Sequence, residues 1–500
     1  MVFEKQPMAS SSSKSLKSPL PREDTPLIGK GKPLSSQSKT FANVLIAIVG
    51  AGVLGLPYAF KRTGWVMGLL MLFSVAGLTT YCMMLLIHTR RKLESFDNGF
   101  AKISSFGDLG YAVCGTFGRL VVDALIILSQ AGFCVGYLIF IANTLTNLLN
   151  GQVSMTSSLS LGMSSFTAKS LYVWGCFPFQ LGLNSVPTLT HLAPLSIFAD
   201  VVDLGAMAVV LVEDVQLMLK QSHEVIAFGG LSVFFYGMGV AVYAFEGIGM
   251  VLPIESEMKD PRKFGKILTL SMGLISLIYG AFGALGYLAF GAETKDIITA
   301  NLGAGWVSSL VQLGLCINLF FTFPLMMNPV YEIVERRFWG GRYCLWLRWL
   351  LVLIVTLVSL FVPNFADFLS LVGSSVCCAL GFVLPALFHL LVFKEELGWK
   401  GWTVDVGIVT LGLVLGVSGT WSSLVEIFAV KELSPLSWRF LSVKLCRYSV
   451  KMKLNEASAF SLLISDLSSC FFLFNFYAVM VVFVLDPPEK EFSSHLQPTF

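Results

Sequence analysis

Eleven apolar segments, each long enough to cross a lipid bilayer, constrain this chain more than any other feature of its sequence. A helix of about 20 apolar residues spans the hydrocarbon layer and satisfies its own backbone polar groups. Hydrophobic residues make up 55% of the chain and charged residues only 13%, so one soluble core cannot take up all of this apolar surface. The sequence therefore predicts an all-α polytopic membrane protein with about 11 transmembrane helices.

The predicted spans form two groups of five, followed by a single helix. The first group lies at 41–60, 66–87, 120–149, 171–189 and 192–212, and the second at 225–252, 267–290, 307–330, 345–362 and 365–393. The transmembrane domain is expected over 40–430, with repeats at about 40–213 and 225–394 and the last helix at 404–428. Glu213 and Asp214 are expected in the loop that follows the fifth span.

The distribution of Lys and Arg predicts the orientation of the chain. Basic residues collect in the first 39 residues, in 90–119, in 259–266 and in 336–348, which all fall on one side of the membrane, and that side is expected to be cytosolic. The segment 1–39 is polar and is predicted to be a disordered cytosolic tail. The segment 431–500 is an atypical C-terminal extension, in which 457–485 is apolar enough for an extra helix.

Two spans carry related glycine-rich interruptions. Gly50–Pro57 interrupts the first span and Gly247–Pro253 interrupts the sixth, and each is a Gly-x-Gly run that ends in Leu-Pro. Because the two copies lie in the first and sixth spans, an odd number of five positions apart in the order of spans, they cross the membrane in opposite directions. Gly- and Pro-interrupted segments at matching places in two inverted halves indicate broken helices around a binding site near the middle of the membrane.

Backbone groups released at such breaks can bind a zwitterion. The positive end of a half-helix attracts a carboxylate, and free carbonyls accept from an ammonium group. The substrate-binding residues predicted in the first span are Gly50, Gly52, Val53, Leu54 and Gly55. Those predicted in the sixth span are Tyr243, Ala244, Phe245 and Gly247. Close helix packing is the alternative explanation of either glycine run taken alone.

Ionisable residues inside a span are costly to bury and are usually functional or paired. Glu246 lies at the sixth-span break and is the first candidate for a proton-coupling carboxyl group, because an apolar site favours the protonated form. Asp200 and Asp203, three residues apart on the fifth helix, are the second candidates. The alternative for Glu246 is a structural carboxyl that is hydrogen-bonded between helices.

The remaining polar residues give weaker signals. Asn318 and Thr322 lie four residues apart on one face of the eighth helix and are candidates for lining a cavity or holding a cation, with interhelical hydrogen bonding as the alternative. The adjacent Cys377 and Cys378 have no His or acidic companion at metal-ligand spacing, so no metal site and no cofactor are predicted. The sequence has no nucleophile–base pair and no nucleotide-binding loop, which excludes the common enzyme classes.

Four stretches carry a family resemblance: Phe41–Pro57, Trp174–Pro178, Phe198–Asp203 and Tyr243–Pro253. Together they resemble the amino acid/auxin permease family, and within it the plant vacuolar amino acid transporters of the neutral amino acid exporting branch. The resemblance covers about 39–428. It implies two inverted five-helix repeats with broken first and sixth helices, the fold of the amino acid-polyamine-organocation superfamily.

The resemblance also implies a function. A transporter of this kind moves small neutral amino acids, such as alanine and proline, from vacuole to cytosol with protons. Its partners are these amino acids, protons and the lipid bilayer, with no nucleic acid, and its location is the vacuolar membrane, or tonoplast. Animal proton-coupled relatives have a His at the position of Asn43, which cannot titrate and remains only a cavity or ion candidate.

One short motif agrees with this location. Glu23 stands four residues before the pair Leu27 and Ile28, which looks like an acidic dileucine sorting signal. A clathrin adaptor can reach such a signal in an exposed cytosolic tail.

Three alternatives to a proton-coupled neutral amino acid transporter stay open at this point. A sodium-coupled transporter of the same fold would build its ion site from first-helix carbonyls and hydroxyl groups such as that of Thr322. An auxin-like substrate is also compatible with the broad family. A membrane receptor that senses amino acids without net transport belongs to a different class, and a flux measurement separates it from both transporters.

Overall fold

The computed structural model describes residues 35–96, 103–153, 165–187, 193–220, 223–302, 305–362 and 364–432. These residues form fourteen α-helices, and no strand occurs among them. The helices are α1 (Gln37–Ile48), α2 (Leu56–Thr63), α3 (Trp65–Phe96), α4 (Phe106–Val153), α5 (Ser165–Asn184), α6 (Ala193–Lys220), α7 (Leu231–Ala244), α8 (Ile248–Ser256), α9 (Phe264–Phe290), α10 (Trp306–Trp339), α11 (Leu345–Phe361), α12 (Phe365–Val372), α13 (Leu384–Val392) and α14 (Trp399–Glu432).

Every predicted span overlaps a helix, although α7 begins at Leu231 rather than at 225. Within the described residues, seven helical segments are long and apolar enough to cross a membrane, and the bent pair α1–α2 makes an eighth. α11 is a shorter apolar helix at the predicted ninth span, and α5 and α6 stand where the fourth and fifth spans are predicted. The prediction of an all-α polytopic membrane protein is therefore confirmed.

The helices run further than their apolar cores. α4 begins at Phe106 rather than Leu120, and a kink at Cys114 and Gly115 interrupts its early part. α6 continues to Lys220, so the expectation that Glu213 and Asp214 lie in a loop is wrong. Hydropathy locates the part of a helix that lies in hydrocarbon, whereas polar residues can extend the same helix beyond that layer or face the protein interior.

The ends of the bundle are named here by the first span: the near face is where α1 begins and the far face is where α2 ends. At the near face Ser36 caps α1, with its Oγ accepting from the Lys39 amide at 3.4 Å. Ser35 pairs with the turn after α8, because its amide donates to Glu257 O at 2.8 Å and its carbonyl accepts from the Lys259 amide at 3.1 Å. This pairing fixes the entry of the chain into the first span.

The tenth span lies at the centre of the bundle. Buried residues make up 83% of its most apolar window, against 39% for the last span, α14. Between α12 and α13 the backbone is π-helical over Gly373–Cys377 and Ala379–Val383. Such widened turns are frequent at functional sites. The wide turn brings the middle of this span beside the break in the sixth.

Two groups of predictions lie outside the described residues. They are the sorting signal at Glu23, Leu27 and Ile28, and the apolar segment 457–485 of the C-terminal extension.

Candidate functional site

The first span is broken between α1 and α2. α1 ends at Ile48, Val49 and Gly50 are extended, and a 3-10 turn over Ala51–Gly55 leads into α2. The two helices are bent by 47°. Every residue of the turn is buried, so the backbone groups released by the break lie inside the protein rather than in lipid.

The sixth span is broken between α7 and α8, at Phe245–Gly247. The Glu246 amide donates to Tyr243 O at 3.2 Å, and the Met250 amide donates to Gly247 O at 3.1 Å. The first bond completes the last turn of α7, and the second completes the first turn of α8. Glu246 therefore lies between the two half-helices. The predicted break is present, with its acidic residue at the point where the helix is interrupted.

The two breaks contact each other. A Cβ built on Gly52 would lie 2.9 Å from Ala244 Cα and 3.0 Å from Cδ1 of Tyr243. A Cβ built on Gly247 would lie 2.8 Å from Cγ1 of Ile48. Only glycine allows this approach at both places. The structure thus brings the first-span set of predicted binding residues against the sixth-span set.

Tyr279 of α9 joins the two breaks, and the sequence analysis did not single it out. Its hydroxyl donates to Ile48 O at 3.1 Å, which satisfies a carbonyl left free at the end of α1. Its ring packs against Phe245 with centroids 5.3 Å apart. A tyrosine in an apolar span has no distinguishing pattern, so only the packing of the spans reveals this role.

Glu246 faces the widened turn of the tenth span. Its carboxyl interacts with the Cys377 thiol and with the Ile248 backbone amide, which opens α8. Cys377 is fully buried. No basic residue occurs in 41–60 or 236–253, so neither break offers Glu246 a positive charge. The carboxyl is thus held by a thiol and a helix N-terminus.

The second acidic candidate, Asp203, meets both polar candidates of the eighth span. Asn318 Nδ2 donates to Asp203 Oδ1 at 2.5 Å, and Thr322 Oγ1 donates to Asn318 Oδ1 at 3.0 Å. Asp203 also lies within electrostatic range of Tyr279. The fifth and eighth spans therefore form one polar cluster that is linked through Tyr279 to the first-span break.

The remaining predicted site residues are Asp200 and Asn43. Asp200 lies in α6, but its side chain is outside the described part of the chain. Asn43 is half-buried in α1, before the first break.

Ion pairs join the spans at both faces. At the near face, Glu255 of α8 is completely buried and pairs with Arg90 and with Arg91, the latter at 2.6 Å. At the far face, Arg62 of α2 pairs with Glu426 of α14. These partners lie 165 and 364 positions apart, so no sequence spacing could have paired them.

Two further buried pairs lie between spans. Tyr236 donates to Asp367 Oδ1 at 2.8 Å, which joins α7 to α12. His389 Nδ1 lies 2.6 Å from Asp405 Oδ2, which joins α13 to α14. Within the described ranges, no group of three or more His, Cys, Asp or Glu side chains could hold a metal ion.

Two broken spans that meet break to break, with buried carboxyl groups beside them, define the class of α-helical membrane transporters that bind substrate between half-helices. Within that class, the chain belongs to the family of transmembrane amino acid transporter proteins, whose profile matches residues 34–425.

Two plant relatives within the family are similar over nearly their whole length, and a yeast relative over part of its length. Amino acid transporter AVT3C of Arabidopsis thaliana is 74% identical, over 85% of this chain and 98% of that protein. Amino acid transporter AVT3A of the same plant is 65% identical, over 82% of this chain and 94% of the relative. Vacuolar amino acid transporter 3 of Schizosaccharomyces pombe is 29% identical, over 79% of this chain and 60% of the relative. All three are named as transporters, so the prediction that the chain is not an enzyme is confirmed.

Solved structures show a more distant likeness. Mhp1, a nucleobase-cation-symport-1 family transporter, was solved in a closed conformation with bromovinylhydantoin bound. It is 16% identical with a TM-score of 0.47, over 81% of this chain and 95% of that one. MhsT in complex with L-phenylalanine is 12% identical with the same TM-score, over 77% of this chain and 98% of that one. At this level the likeness carries no argument about function.

Proposed function

We propose that this protein is a proton-coupled secondary transporter that carries small neutral amino acids, such as alanine and proline, from the vacuole to the cytosol. The observation that carries the proposal is the contact between the two breaks, with Glu246 between the half-helices of the sixth span. Relatives whose names describe them as amino acid transporters, one of them vacuolar, support the substrate class and the location.

The chemistry of the breaks favours a neutral amino acid. The start of the 3-10 turn over Ala51–Gly55 offers backbone amides to a carboxylate, and the end of α7 offers carbonyls to an ammonium group. Val53, Leu54 and Phe245 are buried around these groups. Such apolar walls accept a small apolar side chain and leave a charged one unpaired. The close approach of Gly52 to Ala244 favours a small substrate.

Coupling to protons is assigned to two carboxyl groups. Glu246 binds its proton at the substrate break, and Asp203 binds its proton in the cluster with Asn318 and Thr322. A proton on Glu246 neutralises the only charge in 236–253 when the substrate arrives. Sodium is the same-class rival, because Asp203, Asn318 and Thr322 all offer oxygen atoms that a cation can use.

The direction and location complete the proposal. The near face is assigned to the cytosol and the far face to the vacuolar lumen, so the acidic lumen supplies the proton. The tail signal at Glu23, Leu27 and Ile28 would bind a clathrin adaptor and direct the protein to the tonoplast. Replacing Leu27 and Ile28 by alanine should then move a fluorescently tagged protein away from the tonoplast, and unchanged location would reject this signal.

The transport test uses purified protein in liposomes with an acidic interior and preloaded radiolabelled alanine. In sodium-free buffer, wild-type efflux should collapse when a protonophore is added. Glu246→Gln and Asp203→Asn should each abolish or strongly reduce this proton dependence. Glu332→Gln changes an exposed carboxyl of α10 and is the matched control that should behave as wild type.

The other outcomes identify the alternatives. Efflux that requires sodium would replace protons by sodium as the coupling ion. Amino acid binding without efflux of any neutral amino acid would reject transport and favour a receptor, whereas transport of auxin alone would change the substrate class.

A further inference from the structure

Asp214 is another acidic residue of α6, and it has no role in the site described above. Its side chain is 0% exposed, and neither carboxyl oxygen has a hydrogen-bond partner among the described residues. Val210 and Met207 are buried residues one and two turns before it. Asp203 lies seven positions before Val210, which is again two turns. Asp203 and Asp214 therefore lie on the same inward face of the helix.

The surroundings of Asp214 favour a carboxyl that carries a proton. Burying an ionised carboxyl without a partner costs far more than burying a neutral one. Glu213 is the residue directly before Asp214, and its charge acts on the Asp214 carboxyl. An ionised Asp214 would be repelled by the negative charge of Glu213. Among the helices packed on α6, α10 has no acidic or basic residue from Trp306 to Tyr331. Near its far end, α9 has Tyr287, and Glu293 follows that helix.

The position of Asp214 along α6 places it between Asp203 and the far face. The two residues are eleven positions apart, about 16 Å along a helix, in the direction in which α6 runs to the far face. α10 runs antiparallel to α6, and the contact between Asp203 and Asn318 sets their register. By that register Asp214 lies level with the first turn of α10, near Ser308.

Buried polar groups follow this part of α10. Ser308 and Gln312 are only 4% and 6% exposed, and Gln312 Nε2 donates to Ser308 Oγ at 3.2 Å and to Thr299 O at 2.7 Å. Together with Asn318 and Thr322, they make an interrupted polar stripe on the half of α10 that lies toward the far face. The stripe begins at the level of Asp214 and ends at the Asp203 cluster, so polar side chains stand at both ends of the path that a proton would take.

We propose that Asp214 is a proton-uptake site, through which a proton from the far compartment reaches the Asp203 cluster. In this step the carboxylate forms an O–H bond with a proton delivered by water from the far side. It then returns the proton to water along the Ser308–Gln312 stripe, and no other bond changes. The inference rests on the proposed proton coupling and adds a place at which the proton enters.

The test compares Asp214→Asn with wild type and with Glu213→Gln in liposomes, at fixed outer pH and varied pH on the side that the far face contacts. A single uptake site makes wild-type alanine flux fall by up to about tenfold per pH unit above its titration range. Asp214→Asn should flatten this dependence to less than about twofold per pH unit, because a proton from the far side then no longer reaches the Asp203 cluster. Glu213→Gln, one position away on the same helix, keeps the uptake carboxyl but removes a repelling charge, so its profile should stay as steep as that of the wild type and shift toward lower pH.

A second readout does not depend on transport. A hydrophobic carbodiimide reacts with protonated carboxyl groups in apolar surroundings, and mass spectrometry of the wild type should locate the adduct on Asp214. Labelling should fall as pH rises. Exchange of labelled for unlabelled alanine at equal pH, which moves no net protons, should survive in Asp214→Asn and so show that the variant is folded.

The outcomes separate this inference from the proposed function. Wild-type flux without any proton dependence would reject the proposed coupling and this uptake site together. Proton-coupled wild-type flux with an unchanged pH profile in Asp214→Asn would reject the uptake site alone. Absence of carbodiimide labelling at every pH would show that the carboxyl does not hold a proton and would also overturn the inference.

Discussion

Gly52 is the residue at which the contact between the breaks leaves least room. A methyl group at this position would meet the Ala244 backbone, which cannot rotate away as a flexible side chain can. Overpacking of this kind costs typically about 1–3 kcal/mol and shifts the backbone. The geometry of both predicted binding segments therefore depends on Gly52 having only a hydrogen atom as its side chain.

Substitution of Gly52 by alanine should abolish alanine transport. The methyl group pushes the first-span turn away from the end of α7, which separates the amides proposed to bind the carboxylate from the carbonyls proposed to bind the ammonium group. Gly249→Ala is the matched control, because a Cβ at Gly249 meets nothing within 4 Å and alanine favours a helix. Flux in liposomes measures both variants, and equal flux in the two would contradict the close-approach argument.

Asp296 provides a pH prediction at the far face. It lies in the turn between α9 and α10, where its Oδ2 accepts from the Phe365 amide at 3.1 Å. Burial raises the pKa of this carboxyl, although the Phe365 amide and Lys169 act in the opposite direction. A carboxyl with a raised folded-state pKa holds its proton more tightly in the folded protein than in the unfolded chain. Stability therefore decreases as pH rises from the usual carboxyl range through the raised pKa.

Asp296→Asn should remove this pH dependence. Its melting temperature relative to wild type should increase between about pH 4 and pH 7, since the wild type alone loses stability over the window above the usual carboxyl pKa. Differential scanning fluorimetry in detergent measures the difference. Glu293→Gln, an exposed carboxyl in the same turn, should give no such trend. A constant difference across this range would contradict the assignment.

Single residues were predictable where they carry a mark in the sequence. Glu246 is an acidic residue inside a glycine-rich break, and its place between two half-helices follows from that pattern. Tyr279 carries no mark, because an aromatic residue is ordinary in an apolar span. The acidic pair Glu213 and Asp214 looks like the end of a hydrophobic segment, which predicts a loop there. Only the packing of α6 shows that the Asp214 carboxyl faces inward.

Among the elements, α3 and α8 are joined by the most deeply buried charges at the near face. Glu255 accepts from Arg90 and Arg91, and Arg90 also donates to Leu252 O at 3.2 Å. Removing one partner of a buried pair leaves an uncompensated charge, which costs about 3–5 kcal/mol. The near half of the sixth span is thus fixed to the second.

Glu255→Gln should destabilise the protein strongly, because Arg90 then stays buried without a carboxylate. Adding Arg90→Met should recover part of the loss, since the unpaired charge is removed as well. The control is Glu396→Gln, which breaks the exposed pair with Lys92 and should change stability by less than about 1 kcal/mol. Melting curves of the three variants measure these effects. Equal loss of stability in Glu255→Gln and Glu396→Gln would contradict a special stabilising role of the buried pair.

The existence and order of the helices were predictable because hydrocarbon thickness fixes the length of an apolar span. The ends of the helices were not, as α4 and α6 show. The π-helical middle of the tenth span was also missed. Its residues Gly373–Val383 read as one apolar run, and widening of a helix depends on the neighbours packed against it.

At the scale of the whole molecule, the breaks meet inside the bundle and ion pairs close both faces. Arg62 and Glu426 join the first and last spans at the far face, while Glu255 joins the sixth span to the second at the near face. A transporter must release these ties in turn to open its site to one side at a time. Their partners are distant in sequence, so this arrangement could not be predicted from spacing, although the paired breaks could.

Coupled movement of amino acid and proton is the central claim, and the most direct measurement uses liposomes with a trapped pH indicator and no initial pH gradient. Membrane potential is held at zero with potassium and valinomycin, and the liposomes are preloaded with alanine in sodium-free buffer. Outward flow of alanine should carry protons out and raise the interior pH, and Glu246→Gln should abolish the rise. Alanine that leaves the liposomes with no change in interior pH would contradict proton coupling.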